Sequence, residues 1–273
     1  FLANASHELR TPLTALAGFI ETMRGPARDD RESWDGFLEI MHKQTDRMRH
    51  LVSDLLSLSR IEFSEHRAPD TVIDLGDVLG QTILALQPLA AERSIELSLE
   101  GLNGEVAVTA KWDEIAQVVQ NLVSNALKYS PQGGRVSVSM GTCASMNEAA
   151  RQALSRRPDA VRSVLLQPRA SGEAVAAWIS VCDSGPGIAR QHLSRLGERF
   201  YRVDESRGGD IEGTGLGLAI VKHIVERHRG RLDIASTLGK GTSISVLLPP
   251  PAEEASARMD EKKRPSALSG TVS

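Results

Sequence analysis

The chain has 273 residues, with 32 Lys plus Arg against 35 Asp plus Glu, and its formal net charge of -3 excludes nucleic-acid binding through bulk positive charge. Hydrophobic residues form 41% of the sequence and aromatic residues 4%, which is typical of a globular protein rich in Ala, Leu and Val. No run approaches the roughly 20 consecutive apolar residues of a membrane-spanning helix, and the two cysteines lack the paired spacing of a zinc site.

A helical hairpin is predicted at the start of the chain. Leucine or methionine recurs every seven residues in its first helix, at Leu2, Leu9, Leu16 and Met23. Apolar residues then recur alternately three and four apart from Trp34 to Leu58, the spacing of a second helix. Because one hairpin cannot cover both apolar seams, we expect a homodimer whose hairpins form a four-helix bundle. A monomeric hairpin packed on the next domain is the alternative.

A mixed α/β domain spanning 71–249 is predicted to follow the hairpin at 1–63, after a polar linker at 64–70. The expected helices are at about 75–92, 113–129 and 215–229. The expected strands are at about 95–100, 105–109, 135–140, 174–183, 231–237 and 242–248. Because strands and helices do not alternate strictly, we expect an α/β sandwich with helices on one face of a mixed sheet, rather than a Rossmann sheet.

Two segments of this half of the chain are predicted to be additions to the fold. Residues 141–173 stand where a short hairpin turn would suffice, and they read as an insertion with one short helix near 147–155. The insertion is either a surface decoration or a basic docking site formed by Arg151, Arg156, Arg157, Arg162 and Arg169. The segment 250–273 has low hydrophobicity, which predicts a disordered tail.

The stretch "ASHELRTPL" at 5–13 places reactive side chains on the first helix. His7 lies one residue past the apolar seam, so we expect its imidazole at the bundle surface, with Glu8 beside it and Thr11 one turn later. A neutral imidazole is a nucleophile, and a neighbouring carboxylate can orient the ring or accept its proton. Pro12 lacks an N–H and lets the helix bend. Taken alone, the stretch more often marks a solvated helix face.

A polar stripe is predicted on the helix at 113–129. Asn121, Asn125 and either Lys128 or Tyr129 lie three or four residues apart and therefore share one face. Amide oxygens suit a Mg²⁺ ion that is already bound to polyphosphate, and the lysine can add a phosphate contact. A solvated helix face is the alternative.

Two glycine-containing motifs are candidates for ligand binding, one at the end of an apolar strand and one at the start of a helix. In "DSGPGI" at 183–188, Asp183 ends an apolar strand and can accept a hydrogen bond from an exocyclic amine, while the glycines permit a tight turn against a flat ligand. In "GTGLGLAIV" at 213–221, glycines expose backbone N–H groups at a helix N-terminus, where phosphate is favoured. A polar loop precedes this second motif, so the Rossmann fingerprint is not met. A simple turn is the alternative for the first motif, and the glycine spacing of the second is by itself a weak signal.

The loop between these motifs, at 189–212, is long and basic and is typical of a lid. Its basic and aromatic residues are Arg195, Arg199, Arg202, Arg207, Phe200 and Tyr201. A last motif, "GKGT" at 239–242, precedes the closing strand and reads by itself as a β-hairpin turn.

In this order the motifs resemble those of the sensor histidine kinases of two-component systems. The six motifs of that family appear here as "SHELRTPL", "NLVSNALKY", "DSGPGI", "RFYR", "GTGLGLAIV" and "GKGT", and the resemblance covers residues 1 to about 249. The stretches at 1–23 and 47–62 most resemble the phosphate-regulon sensor kinases. The resemblance implies a dimerisation and histidine phosphotransfer domain followed by an ATP-binding domain of the GHKL (Bergerat) type.

The resemblance also implies a role for each matching residue. His7 would accept the γ-phosphoryl group of ATP, Glu8 would act as its acid–base partner, and Thr11 would position water for dephosphorylation of the regulator. Asn125 would hold Mg²⁺, and Asp183 would bind the adenine amino group. The residues implied in ATP binding are Asn121, Asn125, Lys128, Tyr129, Asp183, Gly185, Gly187, Ile188, Arg199, Arg202, Gly213, Thr214, Gly215, Leu216, Gly217, Leu218 and Thr242.

The partners implied by the resemblance are a second copy of the chain and a response regulator, such as a PhoB-like one. Because Phe1 already lies inside a helical pattern, we expect upstream segments that anchor a bacterial inner-membrane sensor, with this portion in the cytoplasm. Two alternatives are an ATPase of the gyrase, Hsp90 and MutL kind and a catalytically silent dimerisation and docking module.

Overall fold

The computed structural model describes residues 2–63, 68–101, 105–153, 159–167, 176–203 and 213–249. Four predictions fall wholly or partly outside these residues: the tail at 250–273, most of the linker at 64–70, parts of the insertion at 141–173 and the end of the basic loop at 189–212. Of the arginines named in these predictions, four lie outside the described residues: Arg156, Arg157, Arg169 and Arg207.

The predicted hairpin consists of α1 (Leu2–Arg24) and α2 (Arg31–Phe63), which pack against each other. Asp30 caps α2, because its carboxylate accepts hydrogen bonds from the backbone N–H of Ser33 at 3.2 Å and from the Ser33 hydroxyl at 2.6 Å. These bonds lower the pKa of Asp30. The rings of Phe19 in α1 and Phe37 in α2 pack against each other, with their centroids 5.6 Å apart. Within the described residues, no helix combines the length and the apolar character needed to cross a membrane.

The C-terminal half of α2 rests on the following domain. Its buried residues, Leu51, Leu58 and Ile61, belong to the same core cluster as the domain itself. The hairpin therefore packs on the next domain at this end, while apolar residues such as Leu13 and Leu38 are exposed elsewhere on the hairpin of the single chain.

The second domain contains eight strands and five helices among the described residues. In chain order they are β1 (Val72–Asp74), α3 (Leu75–Glu92), β2 (Glu96–Glu100), β3 (Ala107–Thr109), α4 (Trp112–Tyr129), β4 (Arg135–Cys143), α5 (Met146–Ala153), β5 (Val161–Leu166), β6 (Ala176–Asp183), α6 (Arg190–Leu193), α7 (Gly217–Arg227), β7 (Arg231–Thr237) and β8 (Gly241–Leu248). Six strands form a sheet in the order β2-β4-β6-β8-β7-β5, in which only β2 and β4 run parallel.

The sheet carries α3, α4 and α7 on one face, and the core lies between them. Alternate residues of each strand point into this core, as Val136, Val138 and Met140 do in β4. The opposite face holds a smaller cluster in which Ala150 of α5 packs against Cys143 and Leu247. The predicted α/β sandwich with a mixed sheet is confirmed.

The segment at 144–175 differs from the predicted insertion with a single helix. It connects β4 to β6 and contains α5, close to the predicted helix, but it also contains β5, which pairs antiparallel with β7 at the edge of the sheet. The strand was missed because its partner lies about 70 residues later in the chain, so no local pattern marks it. Part of the insertion therefore completes the main sheet. The short β1 and α6 were also not predicted.

Candidate functional site

The predicted phosphoacceptor stretch lies on the exposed side of α1. The side chains of His7 and Thr11 are both exposed, and the Thr11 hydroxyl donates a hydrogen bond to the His7 carbonyl at 3.3 Å. The Glu8 carboxylate accepts a hydrogen bond from Arg47 of α2 at 3.1 Å. Arg47 was not predicted, because only the hairpin packing brings it to α1. The arrangement presents an imidazole at the surface beside a carboxylate held in place from the second helix.

The polar stripe of α4 faces the N-terminus of α7. Asn121 donates a hydrogen bond from its amide to the carbonyl of Gly217 at 3.3 Å. A Cβ at Gly217 would lie 3.8 Å from the Asn125 amide nitrogen, so both asparagines reach this helix end. Lys128 reaches the loop that precedes α7, because its Nζ lies 2.5 Å from where a Cβ of Gly213 would be. The stripe is therefore not a solvated helix face.

Asp183 stands at the end of β6 with one oxygen held by the backbone. Its Oδ1 accepts hydrogen bonds from the N–H of Gly185 at 2.8 Å and from the N–H of Thr242 at 3.1 Å. A Cβ at Gly185 would come within 2.9 Å of the carbonyl oxygen of Tyr129, the last residue of α4. The absence of a side chain at Gly185 thus lets the strand end and the helix end approach each other.

A hydroxyl pair supports the backbone that follows Asp183. The N–H of Ile188 donates to the Ser236 hydroxyl at 2.8 Å, and this hydroxyl shares a hydrogen bond with the Thr242 hydroxyl at 2.9 Å. Gly187 has φ +70°, and a Cβ there would collide with the Thr237 carbonyl. Ser236 was missed, because it stands within β7 and belongs to no motif.

The loop before α7 contacts both the described part of the predicted lid and the hairpin. Gly215 has φ +70°, and its carbonyl accepts a hydrogen bond from the N–H of Phe200 at 2.9 Å. The Thr214 hydroxyl donates to the Asp54 carboxylate of α2 at 2.7 Å and accepts from the N–H of Leu216 at 3.2 Å. Burial raises the pKa of Asp54, and the hydrogen bond from Thr214 opposes that shift.

A second contact joins the lid to α2. Arg199 pairs with Glu62 of α2 and lies 3.0 Å from the ring nitrogen of His223 on α7. Arg202, three residues after Arg199 in the chain, is half-buried. Asp54 and Glu62 were not predicted, since in sequence they are ordinary polar positions of an amphipathic helix.

The structure thus joins the four predicted nucleotide motifs into one site. The last turns of α4 contact both the end of β6 and the loop before α7, and the start of β8 is hydrogen-bonded to Asp183 at the end of β6. Leu216 is fully buried, while Ile188 and Leu218 pack against the core. His7, Glu8 and Thr11 lie on α1, outside this set of contacts. The site presents amide oxygens, a lysine, a carboxylate and the N-terminus of α7, which together suit a purine with a polyphosphate.

The same donor set bears on metal binding. Among the described residues no group of three His, Cys, Asp or Glu side chains could hold a metal ion by itself. A Mg²⁺ ion fits at Asn125 only as a companion of phosphate, because Mg²⁺ accepts one or two protein ligands when phosphate oxygens and water supply the others.

Two protein families match separate parts of the chain. Residues 1–64 match the His Kinase A (phospho-acceptor) domain. Residues 110–252 match the histidine kinase-, DNA gyrase B- and HSP90-like ATPase family.

Curated relatives cover almost the whole chain. The phosphate regulon sensor protein PhoR of Pseudomonas aeruginosa is 36% identical over 265 residues, which are 97% of this chain and 52% of that protein. The sensor histidine kinase WalK of Bacillus subtilis is 34% identical over 249 residues, which are 91% of this chain and 36% of that protein. The chain therefore spans about half or less of the length of these relatives.

Solved structures share the fold. The histidine kinase ThkA, in complex with the response regulator protein TrrA, has a TM-score of 0.63 at 21% identity, covering 91% of this chain and 60% of that one. The Acinetobacter baumannii histidine kinase AdeS has a TM-score of 0.60 at 22% identity, covering 89% of this chain and 97% of that one. Since the two family matches fall on the hairpin and on the α/β domain that hold these motifs, the chain belongs to the sensor histidine kinases of two-component systems.

Proposed function

We propose that this chain phosphorylates itself on His7 with ATP and transfers the phosphoryl group to an aspartate of a response regulator. The observation that carries the proposal is that α4 contacts both the N-terminal end of α7, through Asn125 and Lys128, and the turn that follows Asp183. An exposed imidazole on α1 then supplies the acceptor.

The residues divide the work between binding and transfer. Asp183 would accept a hydrogen bond from the adenine amino group, while Asn121, Lys128 and the amides at the start of α7 would hold the phosphates. Mg²⁺ bound at Asn125 would neutralise charge on the phosphate oxygens. In the transfer, a ring nitrogen of His7 bonds to the γ-phosphorus, the bond from that phosphorus to the ADP oxygen breaks, and the imidazole proton passes to Glu8.

A homodimer is part of the proposal. The hairpin leaves large apolar side chains exposed, at Leu13, Ile20, Leu38, Ile40, Val52 and Leu56. Two hairpins packed as a four-helix bundle would cover such residues. The matching of residues 1–64 to the phospho-acceptor domain supports this arrangement.

The finer assignments follow the relatives. The similarity to PhoR supports phosphate-starvation sensing with a PhoB-like regulator, and the greater length of PhoR supports a membrane-anchored sensor of which this chain is the cytoplasmic part. A phosphotransfer profile against a panel of purified regulators tests this assignment. Rapid transfer only to regulators of other systems would contradict it.

Replacing Asp183 with asparagine is expected to weaken ATP binding roughly 10- to 100-fold, since one hydrogen bond to a charged group is lost and an amide N–H₂ faces the adenine amine. A fluorescent-nucleotide titration measures this change. Asp77→Asn is the matched control, because Asp77 is an exposed acid of α3 and its replacement changes the charge equally. Equal affinities of both variants would contradict the role of Asp183.

Replacing Thr11 with alanine is expected to slow decay of the phosphorylated regulator roughly 100-fold, because a misplaced water costs about that factor. The measurement follows loss of phosphate from a regulator in the presence of the kinase and ADP. Thr14→Ala is the matched control, since Thr14 is also exposed on α1 and its hydroxyl donates to a carbonyl four residues earlier at 2.9 Å. Unchanged decay with Thr11→Ala would remove the phosphatase role.

A further inference from the structure

A cavity of about 500 Å³ opens between α5, β5 and β7. Its lining includes Asn147, Arg151, Arg162, Val164, Arg231 and Asp233. Arg231 and Asp233 of β7 point to the sheet face opposite the main core. The residues that alternate with them, Leu232 and Ile234, point into that core. The cavity is thus separated by the sheet from α4 and α7, which carry the nucleotide motifs.

Arg231 is the most firmly held cation of this cavity. Its Nε lies 2.9 Å from each carboxylate oxygen of Asp233, and its Nη1 donates to the Asn147 side-chain oxygen at 3.3 Å. Its side chain is only 16% exposed and that of Asp233 only 2%. The guanidinium is therefore fixed in orientation from β7 and from α5, so little of its rotamer freedom remains to be lost on binding a ligand.

Two further arginines line the same cavity. Arg162 of β5 lies on the same sheet face as Asp233, because Val164 is paired with Asp233 and Arg162 with the residue two positions along β7. Its charge acts to lower the pKa of Asp233, whereas burial raises it. Arg151 is anchored at its Nε by the Asn147 carbonyl at 3.4 Å. The lining thus contains three guanidinium groups and one carboxylate, which leaves a formal charge of +2.

We propose that this cavity binds a small polyanion through its phosphate or carboxylate oxygens. A guanidinium presents a planar fork of N–H donors that matches such oxygens. The volume lies within the roughly 300–1,000 Å³ of small-molecule sites, so the ligand is larger than a single inorganic ion. The insertion predicted from sequence to be a decoration or a docking segment supplies α5 and β5, and with them Arg151 and Arg162.

Calorimetric titration with pyrophosphate and, separately, with citrate tests the proposal in the absence of Mg²⁺. Binding is expected in the wild-type chain and equally in Lys128→Ala, which removes the phosphate-binding lysine of the proposed nucleotide site. Arg162→Ala is expected to weaken binding about tenfold, the value of one charge-assisted hydrogen bond. Stronger binding of pyrophosphate identifies a phosphate ligand, and stronger binding of citrate a carboxylate ligand.

Arg49→Ala is the matched control, because Arg49 is a 77% exposed arginine of α2 and its removal changes the net charge equally. Its affinity for both probes is expected to equal that of the wild type. Three outcomes would overturn the proposal: neither probe binds, Arg162→Ala and Arg49→Ala bind alike, or binding disappears only in Lys128→Ala. The last outcome would place the anion in the nucleotide site.

Discussion

Replacing His7 with glutamine is expected to abolish phosphorylation of the chain by Mg·ATP and to leave its affinity for ATP unchanged. Glutamine keeps the polarity and approximate length of the side chain but has no nucleophilic nitrogen lone pair. The imidazole is exposed, so its replacement should cost little stability. The nucleotide motifs lie on other elements, so binding should persist. The loss should be complete, because no other residue replaces a missing phosphoacceptor.

The measurement is the amount of acid-labile, base-stable phosphate on the chain after incubation with labelled ATP. His42→Gln is the matched control, since His42 is an exposed histidine of the same hairpin whose ring nitrogen lies 3.0 Å from the Asp46 carboxylate. This variant is expected to be labelled like the wild type. Equal labelling of His7→Gln would show that another residue is the acceptor.

The second large effect concerns His228, a buried histidine that directly follows the last residue of α7. The Nε2 of His228 accepts a hydrogen bond from the N–H of Lys111 at 3.3 Å, so the ring is neutral and its Nδ1 donates to the Ile224 carbonyl at 2.8 Å. Burial, with the charges of Arg227 and Lys111 nearby, lowers the pKa of His228 from 6.5 to about 4. The site favours the uncharged imidazole.

Acidification is therefore expected to destabilise the protein through His228. Between pH 6.5 and about 4 the unfolded chain binds a proton at this imidazole that the folded chain does not bind. The free energy of unfolding thus falls as the pH falls through this window, by about 3 kcal/mol in total. Burial raises the pKa of the neighbouring Glu114. Its contribution to the free energy of unfolding therefore rises on acidification and opposes that of His228.

Denaturant unfolding of the wild type and of His228→Gln at several pH values isolates the effect. The variant loses stability at every pH through repacking, but the difference between the two proteins should shrink by about 3 kcal/mol from neutral pH to pH 4. His42→Gln, which replaces an exposed histidine, should parallel the wild type. A constant difference between wild type and His228→Gln across the range would mean that the buried imidazole does not titrate in this way.

The local sequence was sufficient to identify every described helix except the four-residue α6. The predicted helix at 75–92 coincides with α3 (Leu75–Glu92), because its apolar period is long and Asp74 provides an N-cap whose carboxylate accepts from the Gly76 N–H. The helix at 215–229 was predicted too long, since Gly215 and Arg229 both adopt positive φ outside α7. Such ends depend on single residues and escape a periodic pattern.

Contacts between distant segments could not be predicted in the same way. Arg47 reaches Glu8, and Asp54 reaches Thr214, across 39 and 160 residues of sequence. Arg47 and Asp54 both stand on the amphipathic helix α2, where most such polar residues are solvated. The edge strand β5 escaped for a related reason, because its pairing with β7 is a property of the assembled sheet.

By itself, the sequence determined the fold class, the family and the motif residues, because these depend on residue types at short, regular spacings. The tertiary structure alone decided what surrounds them. It joined the hydroxyls of Ser236 and Thr242 and brought Asp54 of α2 to Thr214 in the loop before α7. It also placed Arg162 and Arg231 in one cavity with Asp233. The physical reason is that burial and electrostatic interactions act between side chains that are close in space, and the spacing of residues along a chain carries no measure of that distance.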